Sequence, residues 1–200
     1  YKIHDPTITV PREKILDVVT STVHGQYQGY AYGYVGYMTN LMIGVPEAKD
    51  IGRSRMYFKI NYDFKKNIPS EARIDSATFN LYQYTAPGSM GTQFGAYRLK
   101  QAFDINHLTW NTSGGLEMEI AGANAISAKK IGMHNFDIRE TVNSWVQGLE
   151  PNYGLVIAAT DEGADGGAFY TTEATADNAG QIGFTPEKAP SLTINWSVPD

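Results

Sequence analysis

The chain has 200 residues and no Cys, with 21 acidic and 16 basic side chains for a formal net charge of −5. That balance gives no sign of a basic, phosphate-tracking face and so disfavours nucleic acid as a partner. The missing Cys rules out disulfides and thiolate metal sites, and no apolar run is long enough to span a bilayer.

Taken in chain order, residues 1–13 contain Pro6 and Pro11 and read as a tether or edge segment. The first residues carry no signal-peptide pattern and do not begin with Met, so the chain reads as part of a larger protein. Residues 14–198 read as one domain. Strands are predicted over Lys14–Ser21 and Asn40–Val45, with a Tyr- and Gly-rich loop between them at Gln26–Tyr37. Arg55–Tyr62 alternates strictly. Met56, Phe58, Ile60 and Tyr62 face a core, while Arg55, Tyr57, Lys59 and Asn61 form a polar outer face. After the Pro69-Ser70 turn, Ile74–Tyr84 repeats the pattern, with Ala77, Phe79 and Leu81 inward. Further strands are predicted at Gly95–Phe103, Gly154–Thr160, Ala168–Glu173 and Ser191–Ser197, the last placing Leu192, Ile194 and Trp196 in the core. One segment breaks the period. Asp137 with Glu140 three residues later reads as a capping box. Ile138, Val142, Trp145 and Val146 then recur at helical spacing, and Gly148 supplies a stop. The expected fold is an all-β, jelly-roll-like sandwich with one short amphipathic helix at about 137–147, packed as a plug on the core.

The sequence holds no G-x-S-x-G elbow, no H-E-x-x-H pair and no phosphate-cradling Gly loop. His4, His24, His107 and His134 are scattered without ligand spacing. Glu117 and Glu119 share one face of a strand-like stretch, but carboxylate pairs for glycoside hydrolysis are defined by spatial separation, which sequence does not give. The expectation is therefore a protein that is not an enzyme. The loop Asp161 to Gly167 offers Asp161, Glu162 and Asp165 as oxygen ligands for a structural Ca²⁺, or is an ordinary Gly-rich turn. No other cofactor is expected. In Gln26–Tyr37 the rings of Tyr27, Tyr30, Tyr32, Tyr34 and Tyr37 could stack on sugars or on a protein surface, or pack the loop down on itself. Arg53, Arg55 and Lys59 could pair with acidic groups of a polysaccharide. Lys–Asn or Thr–Gln cross-links of the kind found in Cys-free adhesins need pairings that sequence does not supply.

The ordered motifs resemble a family. GYAYGYVGYMTNLMIG (29–44), RSRMYFKINYDF (53–64), IPSEARIDSATFNLYQY (68–84), Tyr97-Arg98 with FDINHLTWN (103–111), the stretch 136–155, and FYTTEA (169–174) followed by 190–196 run collinear with DNRLRE-type domains. The resemblance covers roughly residues 15–197. It implies a carbohydrate-binding-module-like sandwich from a large bacterial or archaeal surface or secreted protein, including the wall-associated YD-repeat, Rhs-like toxins. The motifs are mostly core and turn positions, so they carry the fold and not a binding site. The leading expectation is a non-catalytic module binding a polysaccharide or cell-wall glycan. The alternative is a structural or adhesive spacer or assembly domain that binds protein, and the third is a polysaccharide hydrolase or lyase.

Overall fold

The computed structural model describes residues 2–3, 7–38, 52–86, 93–113, 118–127, 130–162 and 166–199. Its strands are β1 (Lys2–Ile3), β2 (Ile8–Val10), β3 (Ile15–Ser21), β4 (Gly25–Tyr27), β5 (Tyr32–Met38), β6 (Gly52–Ile60), β7 (Arg73–Thr85), β8 (Gln93–Leu99), β9 (Met118–Ser127), β10 (Gly132–Asp137), β11 (Leu155–Ala159), β12 (Gly167–Tyr170) and β13 (Ser191–Val198). Among the described residues there are three short α-helices, α1 (Phe64–Asn67), α2 (Arg139–Gln147) and α3 (Ala176–Ala179), besides single 3-10 turns. The predicted strand at Asn40–Val45 lies outside the described residues.

Every pairing among the described strands is antiparallel, and most join strands far apart in sequence. β7 is flanked by β13, β10 and β12, and β13 also carries β1 and β2. On the other side, β6 pairs with β3 and β11, β3 with β4, and β8 with β11 and β9. β5 belongs to both sets. Its residues Tyr32–Val35 pair with β12, and Gly36–Met38 pair with β6. The chain thus turns a corner from one layer to the other at Gly36, whose φ of +90° suits only glycine. This is an all-β sandwich, as the alternating strands predict.

The core lies between the layers. Met56, Phe58 and Ile60 of β6, Ala77, Phe79 and Leu81 of β7, and Leu192, Ile194 and Trp196 of β13 are all buried in one cluster, as their alternation predicts. Two ring pairs bridge the layers edge-on, Phe58–Phe79 at 4.8 Å and Phe94–Phe169 at 5.2 Å between centroids. Burying each such ring contributes about 2 kcal/mol before entropy costs. Val10 of β2 joins this core, so the N-terminal segment supplies an edge strand here and not a free tether.

The helix forms as expected over most of its span and packs against β7, β9 and α1. Val142, Trp145 and Val146 are buried on it, and Gly148 ends it in the left-handed region at φ +71°. Its start differs from the predicted capping box. Ile138 is the N-cap, and Asp137 Oδ1 accepts the Arg139 N–H at 3.0 Å. Glu140 turns to the Arg139 guanidinium instead of back to the backbone.

The outer faces are the main correction. β8 ends at Leu99, and residues 100–113 cross the outer face of β6, β11 and β3. Tyr57, expected to point into solvent, is 0 % exposed there among Val18, Leu99, Phe103, Leu108 and Val156. β12 likewise ends at Tyr170, short of the predicted Glu173. Residues 171–190 then cover the other face, burying Tyr32, Tyr170, Ala174, Ala179, Phe184 and Ala189 together.

Candidate functional site

The tyrosines singled out from the sequence do not form an exposed platform. Tyr34 is 0 % exposed and Tyr27 only 9 %. Tyr27 meets Tyr30 and Tyr34 edge-on, at 5.7 and 6.2 Å between centroids. Tyr32 packs beside Tyr84 and donates its hydroxyl to Asn178 O at 3.0 Å. Tyr37 is half-buried on β5. The physical reason is that this stretch is mostly strand. Gly33 and Gly36 mark close packing instead of a loop: a Cβ would stand 2.7 Å from Met56 Cε at Gly33 and 2.8 Å from Gly166 Cα at Gly36. Burial, above all, pushes the phenols of Tyr27, Tyr34 and Tyr84 well above their ordinary value.

The basic trio separates by environment. Arg53 is exposed. Arg55 is consumed internally, bidentate to Glu162 at 2.9 and 2.6 Å with Trp110 over its guanidinium at 4.7 Å. Lys59 keeps its ammonium at the surface, 5.1 Å above the Phe103 ring. The same ion pair engages both oxygens of Glu162, one of the three residues of the expected calcium set. Asp161 is exposed and Asp165 lies outside the described residues. Among the described residues no group of three or more His, Asp or Glu side chains could hold a metal ion.

What the fold does bring together is a run of three shallow hollows over the segment 100–113 and the adjoining loops. The central one, about 200 Å³, is lined by Lys59, Ile60, Asn61, Ala102, Phe103, Asn152, Tyr153 and Gly154. Ala102 and Phe103 also line a second hollow of about 310 Å³, with Asp104, His107, Leu108 and Thr112. Asn152 also lines a third, about 310 Å³, with Tyr62, Asp63, Phe64, Lys65, Trp145, Gly148, Glu150 and Pro151. The hollows therefore lie side by side in a row, a groove with the smallest at its centre.

Local structure fixes each wall. Asn152 donates to Ile60 O at 2.9 Å and accepts from Gly154 N–H at 3.0 Å, pinning the 151–154 loop to the end of β6. Gly154 is required by contact as well as by its φ of +91°, because a Cβ would meet Phe58 O at 2.0 Å. Asp104 Oδ1 accepts the Asn106 N–H and Oδ2 bonds His107 Nδ1 at 2.6 Å, so the turn presents an oriented imidazole. The Asn106 amide first, then His107, hold the Asp104 carboxyl below its usual range. Asp63 caps α1 through the Lys66 N–H at 3.0 Å, and Glu150 pairs with Arg98 at 3.1 Å. Each carboxylate named on the groove thus already holds a hydrogen bond or ion pair, and Lys59, Lys65, Asn61 and His107 add exposed or half-exposed polar groups.

Sequence reasoning found Lys59 but missed Asn61, Tyr62, Asn152, Tyr153 and His107 as one surface. They come from separate segments, and only folding makes them neighbours. No protein-family model matches the chain, and no curated protein matches it. The DNRLRE resemblance therefore rests on its motifs alone.

Proposed function

We propose that this chain is a non-catalytic glycan-binding module of a larger secreted or cell-surface protein, with its site in the groove over residues 100–113 and not in the tyrosine stretch. The observation that carries the reading is the row of adjoining hollows together with their lining. Aromatic rings offer apolar faces to pyranose rings, and amide, hydroxyl and ammonium groups offer bonds to sugar hydroxyls. The collinear motifs support it too, since domains of the resembling family are carbohydrate-binding-module-like. The engaged carboxylates on the groove favour binding over hydrolysis, because a general acid and a base need to be free to exchange protons.

Retention of the domain on insoluble cellulose, chitin and peptidoglycan sacculi, with a soluble glycan array alongside, tests the proposal. The expected result is retention by at least one polymer, unchanged by chelation of calcium and weakened in Asn61→Ala and Tyr153→Ala domains that unfold like the parent. If no polymer or array glycan is bound, the proposal fails, and a protein-binding spacer takes its place.

A further inference from the structure

We infer that the groove takes the interior of a linear glycan, three consecutive sugars with one in each hollow, instead of a chain end or a single sugar; this rests on the glycan reading above. Each hollow holds one ring that is at least partly exposed. His107 stands in the second hollow, its side chain 82 % exposed, Tyr153 in the central one and Tyr62 in the third. These rings are differently anchored: His107 by Asp104, Tyr153 against the cluster beneath residues 100–113, and Tyr62 edge-on against Phe64 at 5.0 Å. Each is thus held in place before a ligand arrives, which lowers the ordering cost of stacking.

The hollows adjoin one another and are open to solvent, and among the described residues no wall closes around a terminal sugar. A site for a chain end needs such a wall. A site for the chain interior needs two exits, and the shared residues Phe103 and Asn152 place a hollow beyond each side of the centre. The polar groups are likewise spread along the track, with Lys59 and Asn61 at the centre and Lys65 towards one end.

The test is calorimetry on the intact domain with cello-, chito- and xylo-oligosaccharides of one to six units. Affinity is expected to climb to three units and then level off, with no measurable binding of the monosaccharide. His107→Ala and Tyr62→Ala should each weaken the trisaccharide about tenfold while leaving the disaccharide much less affected. A monosaccharide bound as tightly as a trisaccharide overturns the inference while sparing the glycan reading. So does affinity that responds only to Tyr153→Ala. Failure of every oligosaccharide, where a polymer is nevertheless retained on beads, also overturns three-sugar recognition. Failure of polymers and oligosaccharides alike overturns both.

Discussion

Arg55 on β6 and Glu162 beyond β11 form a two-pronged ion pair at 2.9 and 2.6 Å, and the Trp110 ring closes over the guanidinium at 4.7 Å. Both side chains are only about one-fifth exposed, at 19 % and 22 %. The contact ties three separate stretches together: a central strand, the loop after β11, and the segment that builds the groove. A forked guanidinium can satisfy a carboxylate and stack on a ring at once, which a lysine cannot.

Arg55→Lys is therefore expected to be far from conservative. It keeps the charge but loses the second prong and the planar stack, at a cost of about 1–2 kcal/mol. Glu162→Gln should cost about the same, and the double variant should cost less than the sum. Urea unfolding of the four proteins gives this coupling directly. Strict additivity would mean that the pair holds nothing in place.

Gly36 is the hinge on which the two layers share a strand. A Cβ there would stand 2.8 Å from Gly166 Cα, and the φ of +90° adds backbone strain for any other residue. Gly36→Ala should lose about 2–4 kcal/mol or fail to fold. Gly29→Ala, at φ +80° with nothing near its added Cβ, isolates the strain term and should cost only about 1 kcal/mol. Equal losses at the two sites in thermal unfolding would show that the close approach at the corner is unimportant.

The contrast between these glycines also explains what was legible in the sequence. Alternation in β6, β7 and β13 points correctly to Phe58, Phe79, Leu192 and Ile194, because a buried face imposes a two-residue period on each strand by itself. The period cannot say what covers the opposite face. Tyr57 looks outward-facing in its own strand and is buried only because residues 100–113 return across it. Gly33 and Gly36 look like loop residues, since glycine marks both flexible turns and crowded strands, and only the neighbour Met56 or Gly166 decides between them. The groove is hidden for the same reason: Lys59, Phe103 and Asn152 are far apart along the chain. A lone Asp within the apolar run Ile15–Val19 is, by contrast, a readable sequence signal of a buried carboxyl.

That residue, Asp17, is 5 % exposed, and its Oδ2 accepts the Thr172 N–H at 2.8 Å. Burial first, then the charge and hydrogen bond of Glu173, raise its carboxyl well above the usual range, while the Thr172 amide and hydroxyl oppose them. Arg12 reaches the same segment, its guanidinium donating to Ala174 O. A raised carboxyl favours the folded state when protonated, so this contribution is full at acid pH and lost as pH rises through the folded-state pKa. Asp17→Asn keeps an acceptor for Thr172 and offers Glu173 a donor. It should stabilise the domain at pH 8 by on the order of 1 kcal/mol, about 3 °C in Tm, with the gain shrinking as pH falls. A variant less stable than the parent at pH 8 would mean that the charged carboxylate is itself a favourable partner there.

His134 on β10 titrates in the opposite sense. It is 1 % exposed and its Nε2 lies 2.7 Å from Gln83 Oε1, which makes Nε2–H the donor. Burial, and then the charge of Lys130, lower its pKa to about 4. The folded state therefore requires the neutral ring. Its contribution is complete above the ordinary histidine range near pH 6.5 and is lost progressively as pH falls towards 4, because the unfolded chain takes up the proton first. His134→Gln retains a donor for Gln83 and cannot titrate. It should cost about 1–2 kcal/mol at pH 7.5 through poorer packing against Phe136 and Phe169. Between pH 6.5 and 4.5, however, it should lose at least about 1 kcal/mol less than the parent. Denaturant unfolding at a series of pH values measures both limbs. Parallel acid limbs in the two proteins would place the proton uptake at another group and remove His134 as the source of acid sensitivity.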